Sequence, residues 1–97
     1  MVMTVLEAHV ADDRAGDLER LFADAILELP PGMVESFLVR DTGDATVFRI
    51  VSVWASRQAL DAMRASGEKP KGVQMFESAG ATPQLSILDV VVHGRRA

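Results

Sequence analysis

The fold of this chain is indicated most clearly by VFRIVSVWASRQAL, residues 47–60, which predicts a buried strand that runs directly into a helix. Apolar and β-branched residues fill the first half of the segment, as is typical of strands. Ser56 then offers a helix N-cap, and apolar residues return with helical spacing at Ala59 and Leu60. The only tryptophan, Trp54, lies at the junction, so we expect any pocket of this protein to lie beside it.

The segments around this junction complete a βαββα(α)β order. Residues 2–10 alternate like a strand with one buried face, and residues 17–29 carry an apolar stripe with helical spacing. We expect Asp12 and Asp13 to cap that helix and Pro30-Pro31-Gly32 to end it. The further predicted elements are strands over 33–40 and 46–54, helices from Ser56 to about Gly67 and over 72–79, and a strand over 85–92.

This order predicts a ferredoxin-like α+β sandwich. Helices between the first and second strands, and between the third and fourth, cover the same face of one antiparallel sheet when both crossovers are right-handed. A chain of 97 residues with 48% hydrophobic residues has apolar material for one core and not for two. We therefore expect a single domain over residues 1–93 and a solvated tail over 94–97.

Two predicted strands, over 47–53 and 85–92, carry apolar residues on both faces. The helices can cover only one face of the sheet. The other face would leave in water a patch of the size that usually marks an interaction site. We therefore predict a homodimer in which the uncovered sheet faces pack against each other.

Composition excludes several classes of partner and site. The net charge of −4 and the pI near 5.0 argue against binding to nucleic acid or to an anionic membrane surface. The chain has no cysteine, which removes disulfides, thiolate nucleophiles, iron–sulfur clusters and cysteine zinc sites. It also has no apolar run near the roughly 20 residues that a membrane span requires. We expect a cytoplasmic protein.

The strand order, the Pro31-Gly32 turn and the segment VSVWASRQAL, residues 51–60, resemble the antibiotic biosynthesis monooxygenase family of dimeric α/β barrels. In that family a strand likewise ends in a tryptophan and is followed by a serine cap and an amphipathic helix. The resemblance implies a dimeric α/β barrel that acts as a cofactor-independent monooxygenase on an aromatic phenol or quinol. The family also includes haem-degrading enzymes.

The chain departs from both of these branches beside Trp54. The haem-degrading branch also uses an asparagine on the first strand and a histidine on the helix after the tryptophan. This chain has no asparagine, and residues 59–66 contain no histidine. The polyketide-oxidising branch is associated with asparagine, tyrosine and arginine, and tyrosine is absent here as well. We therefore expect no cofactor and no haem degradation, and only Trp54 carries over by position.

Five side chains are candidates for binding a small aromatic substrate. Trp54 could stack on a flat ring and donate its indole N–H to a substrate oxygen. Arg49, on the hairpin, could bind a carboxylate or an enolate through two hydrogen bonds. Phe22, Met63 and Phe76 would line the cavity. Each also fits a structural role, because apolar residues at these spacings commonly form the core and Arg49 could be solvated or paired with Glu35.

Glu7 and His9 are candidates for acid–base catalysis. They lie two residues apart on the first strand and so share a face, where a histidine and a carboxylate can form a general base. Equally, they could form a hydrogen-bonded pair without catalysis at the dimer side or the rim of the barrel. His93 is expected far from His9, because the first and last strands are antiparallel, so we predict no metal site.

Two functions of different classes remain open from the sequence. The first is a cofactor-free monooxygenase with a dry apolar cavity, Trp54 for stacking, and Glu7 with His9 for proton removal. The second is a non-catalytic dimeric protein on the same scaffold that binds a small molecule or serves as an accessory factor. Because a fold does not determine a function, the pocket beside Trp54 must distinguish them.

Overall fold

A computed structural model describes all 97 residues and confirms the α+β ferredoxin-like order. The four strands form one antiparallel sheet in the order β2-β3-β1-β4, and three helices cover one of its faces. None of the helices combines the length and the apolar character needed to cross a bilayer. The elements are β1 Val2–His9, α1 Asp12–Ala25, β2 Met33–Arg40, β3 Val47–Trp54, α2 Arg57–Ala65, α3 Lys71–Ser78 and β4 Gln84–Asp89.

Strand register divides the sheet into a helix side and an open side. Leu6 lies opposite Ile50 on β3 and opposite Leu85 on β4, and this row faces the helices. The next row along, with Val5 opposite Val51, faces away from them. This alternation follows from the two-residue period of strands.

Two apolar clusters fill the space between the sheet and the helices. The larger cluster contains Leu18 and Phe22 of α1, Ile50 of the sheet and Phe76 of α3. The smaller one joins Val2 and Trp54 to Leu60 of α2. α1 and α3 thus cover one part of the sheet and α2 covers the end that carries Trp54.

The first helix differs from its prediction at both ends. It begins at Asp12, so Asp12 and Asp13 lie in its first turn, where carboxylates favour the positive end of the helix dipole. The N-cap is Ala11, and no side chain caps the helix. It ends at Ala25 rather than continuing to Leu29, and residues 26–28 form a turn before the two prolines.

The last strand, β4, is shorter than predicted, because β1, the strand that pairs with it, extends no further. Val2, the first residue of β1, lies opposite Asp89. Val90 adds one final hydrogen bond, from its N–H to the carbonyl of Met1 at 3.1 Å. Beyond it Val91 and Val92 are exposed, at 88% and 87% of their surface.

The strand-to-helix junction confirms its prediction. The Ser56 side chain accepts a hydrogen bond from the N–H of Ala59 at 3.1 Å and caps α2. Gly67 follows the end of α2 with φ +79°, a left-handed conformation that glycine adopts without strain.

Candidate functional site

A cavity of about 360 Å³ lies between the helix side of the sheet and the helices. Its walls are largely apolar: the sheet forms one side, and the other walls come from three parts of the chain. The first is α1 with the turn after it, the second is α2, and the third is the start of α3. The apolar side chains that line it include Leu6, Phe22, Ile26, Leu29, Met33, Ile50, Trp54, Leu60, Met63, Val73, Met75 and Leu85. This volume falls within the range of sites for small organic molecules.

Trp54 lies in the wall of this cavity and is almost completely buried, with 1% of its surface exposed. Its indole N–H donates to the hydroxyl oxygen of Thr4, on β1, at 3.2 Å. The donor that we expected Trp54 to offer to a substrate is therefore engaged within the protein. With only 1% of its surface exposed, the ring is packed into the wall and presents almost no open surface to the cavity.

Of the other predicted lining residues, Phe22 and Met63 line the cavity and Phe76 does not. Phe76 is fully buried in the larger core cluster. Its ring packs between α3 and the rest of that cluster, so the helical spacing that suggested a lining residue reflects core packing.

Arg49 lies on the open side of the sheet, where it is held between two carboxylates. Its Nε donates to Glu7 at 2.6 Å and its Nη1 donates to Asp41 at 3.0 Å. Hydrogen bonds from the Arg49 side chain and then from the backbone N–H groups of Asp44 and Gly43 hold the pKa of Asp41 below its usual value. The partners of Arg49 are thus Glu7 and Asp41 and not Glu35.

His9 and Glu7 share one face of the sheet, as predicted, and that face is the open side, but they do not pair. The Nδ1 atom of His9 lies 3.0 Å from the hydroxyl of Thr46, which in turn donates to Asp44 at 2.7 Å. That hydrogen bond, with one from the Thr46 backbone N–H, holds the pKa of Asp44 below its usual value. The sheet backbone separates both residues from the cavity, so their catalytic role stays a prediction and could concern only a ligand on the open side.

Charged residues occur in the cavity lining after α1, on α2, on the segment between α2 and α3, and at the start of α3. They are Glu28, Arg64, Glu68, Lys69 and Lys71. Lys69 is paired with Glu77 at 2.8 Å, whereas Arg64 and Lys71 form no ion pair. The lining contains no histidine, and no three His, Asp or Glu side chains of the chain are grouped so as to hold a metal ion.

Sequence reasoning missed the three hydroxyl side chains that the sheet contributes to the lining, Thr4, Ser36 and Ser52. The alternation of residues along the strands indicated two of them. Thr4 shares its strand face with Leu6, and Ser52 shares its face with Ile50 and Trp54. A polar residue on the face that otherwise points into the core is informative, because buried hydroxyls need hydrogen-bond partners.

Comparison with known proteins identifies the family of this chain. Residues 1–73 match the family model named antibiotic biosynthesis monooxygenase. The chain belongs to that family. All of the cavity residues except Met75 and Leu85 lie within the matched part. No curated protein sequence matches the chain significantly.

Solved structures share the fold over 95% or more of this chain. A Deinococcus radiodurans protein assigned as an antibiotic biosynthesis monooxygenase has a TM-score of 0.75 at 16% identity, covering 100% of this chain and 99% of its own. The cofactor-independent oxygenase SnoaB of Streptomyces nogalater has a TM-score of 0.70 at 19% identity, covering 95% and 94%. The haem degrader MhuD of Mycobacterium tuberculosis has a TM-score of 0.68 at 22% identity, covering 98% and 100%. At these identities the likeness concerns the fold.

Proposed function

We propose that this member of the family is a cofactor-independent monooxygenase that oxidises an aromatic phenol or quinol. The observation that carries the proposal is the apolar cavity beside Trp54, in which Phe22 and Met63 also line the wall. An aromatic ring can pack against these apolar walls, and the thioether of Met63 can adjust to its shape. The fold similarity to the oxygenase SnoaB agrees with the proposal.

The reaction needs no electron donor other than the substrate. A phenol and O₂ give a quinone and water: one oxygen atom bonds to a ring carbon, and the other leaves as water with the ring C–H and phenol O–H hydrogens. The phenolate form supplies the electrons. The protein supplies a largely apolar cavity, which orients the ring and protects the intermediates from side reactions.

Haem chemistry is not supported by the cavity residues. Haem iron in proteins is held by an axial side chain, most often a histidine. Neither the lining nor helix α2, residues 57–65, contains one. The fold similarity to MhuD is therefore not evidence that this chain degrades haem. A tight, specific complex with haem in a Soret titration would contradict this view.

Oxygen consumption tests the oxygenase proposal directly. A set of phenols and hydroquinones, including 1-naphthol, is supplied to the wild type, to Trp54→Phe and to the control Leu27→Ala. Leu27 is 84% exposed and lies outside the cavity lining, so its variant is expected to keep wild-type rates. We expect the wild type to consume oxygen and Trp54→Phe to lose about tenfold or more in kcat/KM. No oxygen uptake with any substrate would contradict the proposal, and equal rates in Trp54→Phe would remove Trp54 from it.

The second candidate is a non-catalytic binding protein on the same scaffold. The observation that favours it is the absence of an imidazole base among the cavity residues. Binding of an aromatic molecule without oxygen uptake would support this candidate over the enzyme.

We also propose that the active form is a homodimer built through the open side of the sheet. This face carries apolar residues among polar ones, and Phe37 and Leu88 each expose 47% of their surface. The apolar residues of this face are Met3, Val5, Phe37, Val39, Val51, Val53 and Leu88. A second copy of the same face would cover them.

A further inference from the structure

A row of three hydroxyl groups crosses the sheet within the lining of the apolar cavity. Thr4 of β1 and Ser36 of β2 each lie directly opposite Ser52 of β3. All three line the cavity. In the neighbouring rows Ile50 lies between Leu6 and Leu38, and Trp54 lies between Val2 and Met33. The hydroxyls thus form a narrow polar band in an apolar surface.

Two hydroxyl hydrogens of this row have no acceptor in the protein. The indole of Trp54 can only donate, so the Thr4 oxygen must accept its hydrogen bond. The hydroxyl hydrogen of Thr4 then has no partner, since the side chain makes no second hydrogen bond. The hydroxyls of Ser36 and Ser52 lie 2.9 Å apart and share one hydrogen bond. That bond uses one of their two hydrogens, and the other has no acceptor in the protein.

Water is restricted at the middle of the row, at Ser52, whereas Thr4 and Ser36 are partly exposed. Only 5% of the Ser52 surface is exposed, and Ser52 is the one buried polar residue of the chain. A buried hydroxyl that lacks a partner costs about 1–3 kcal/mol, so an occupant that accepts a hydrogen bond is preferred over one that does not.

From this geometry we infer that the hydroxyl row Thr4–Ser52–Ser36 selects ligands by an acceptor oxygen on an aromatic ring system. A ring ketone, a quinone oxygen or a phenolate fits, because each offers lone pairs and no hydrogen. An aromatic hydrocarbon of the same shape leaves both donors unsatisfied. The inference rests on the proposed function for its cavity and deepens it by naming the chemical group that the site recognises.

The same donors would act on the reaction as well as on binding. Hydrogen bonds to an oxygen that carries negative charge are stronger than those to a neutral one. Donors that are fixed before the substrate arrives stabilise such a charge without reorganisation. The row therefore favours the phenolate form of a phenol in the cavity, which is the form that gives electrons to oxygen. Thr4 and the two serines orient and polarise the ligand and transfer no proton of their own.

The test compares two probes that differ in one oxygen atom, the ketone 1-indanone and the hydrocarbon indane. Because Trp54 is the only tryptophan, its indole N–H gives a single resonance that reports on the cavity wall in a titration followed by ¹H–¹⁵N NMR. We expect the wild type to bind 1-indanone about tenfold more tightly than indane, the ratio expected for about one net hydrogen bond.

Two variants and two controls assign the preference to the row. Ser52→Ala and Thr4→Val each remove a hydroxyl and are expected to bring the ratio of the two dissociation constants close to one. Thr4→Ser keeps the hydroxyl and is expected to keep the ratio. Ser86→Ala removes an exposed hydroxyl from the opposite side of the sheet and is also expected to keep it. A general loss of stability affects the binding of both probes alike, so the ratio of the two dissociation constants within one variant is insensitive to it. If Thr4→Val does not fold, Ser52→Ala alone tests the inference.

The outcomes separate this inference from the proposed function. A ratio near one in the wild type, no response to 1-indanone, or a ketone preference that survives in both Ser52→Ala and Thr4→Val would overturn the inference. A preference that depends on the row, together with no oxygen uptake, would support the inference and contradict the oxygenase. Oxygen uptake without a ketone preference would support the oxygenase and contradict the inference.

Discussion

The indole N–H of Trp54 on β3 donates to the hydroxyl oxygen of Thr4 on β1, 50 residues away in sequence, at 3.2 Å. This bond fixes the ring at the end of the sheet and gives it a partner in the cavity wall. It also explains how a nearly fully buried tryptophan satisfies its polar atom. Stability measurements on the two residues can isolate the bond from the packing.

We predict that Trp54→Phe lowers the free energy of unfolding by about 1–3 kcal/mol, because it removes buried volume and the hydrogen bond together. A double-mutant cycle with Thr4→Val, measured by urea denaturation, is expected to give a coupling energy of about 0.5–1.5 kcal/mol. Coupling near zero would contradict a hydrogen bond that contributes to folding.

We predict that Gly32→Ala is more destabilising than Gly67→Ala. Both glycines have positive φ, +84° and +79°, which costs an alanine about 1–2 kcal/mol. A methyl group on Gly32 would in addition lie 2.3 Å from the Cβ of Ala59, whereas nothing lies within 4 Å of one on Gly67. We expect losses of about 2–4 kcal/mol for Gly32→Ala and about 1 kcal/mol for Gly67→Ala in urea denaturation. Equal losses would show that the protein relieves the close contact between the new methyl group and Ala59 without losing stability.

We predict that Phe37→Asp gives a monomer. The substitution places a charge on the apolar part of the open sheet face, which the proposed partner copy would bury, and burial of a charge is costly. Sedimentation at micromolar concentration is expected to give twice the protomer mass of 10.5 kDa for the wild type and the protomer mass for the variant. Leu27→Asp is the control, since Leu27 is exposed in the turn after α1, and it is expected to stay dimeric. A monomeric wild type would contradict the proposed dimer.

We predict that Asp41→Asn weakens the acid dependence of stability. Hydrogen bonds from Arg49 and from the Asp44 and Gly43 backbone lower the pKa of Asp41 in the folded protein from its usual 3.8. The unfolded chain therefore takes up the proton first, so this carboxylate stabilises the fold above pH 3.8 and loses that effect as the pH falls through its folded pKa.

The measurement is the urea midpoint between pH 7 and pH 2.5. Asp41→Asn is expected to have a lower midpoint than the wild type at pH 7 and a smaller decrease in acid. Asp24→Asn is the control, because Asp24 is exposed and its carboxylate has no hydrogen bond or ion pair. A wild-type pH profile in Asp41→Asn would contradict a stabilising contact between Asp41 and Arg49.

Local patterns predicted the elements of this fold well wherever one strong signal was present. The helical spacing and the Ser56 cap gave α2, and the hairpin 33–54 followed from two β-prone runs around a loop rich in Gly and Asp. The end of the last strand, which was predicted wrongly, depended on a distant residue. β4 ends at Asp89 because β1 begins opposite it, and no local pattern in residues 85–92 contains that information.

The candidate site was less predictable than the fold. Phe22 and Met63 were found from their helical stripes, but the same reasoning also suggested Phe76, which is core. Glu7 and His9 were correctly placed on one face, yet their partners, Arg49 and Thr46, come from the neighbouring strand and loop. Side-chain partners depend on register, which is set by the packing of whole strands.

By itself, the sequence determined the order of the elements, their amphipathic faces and the excess of apolar residues on both sides of the sheet, because these depend on the spacing of residues along one segment. Only the tertiary structure decided that Trp54 meets Thr4, that Thr4 continues into a hydroxyl row with Ser52 and Ser36, and that Arg49 turns away from the cavity. Each of these depends on which residues of different strands lie opposite one another, and a one-residue change of register would move every side chain of a strand to the other face.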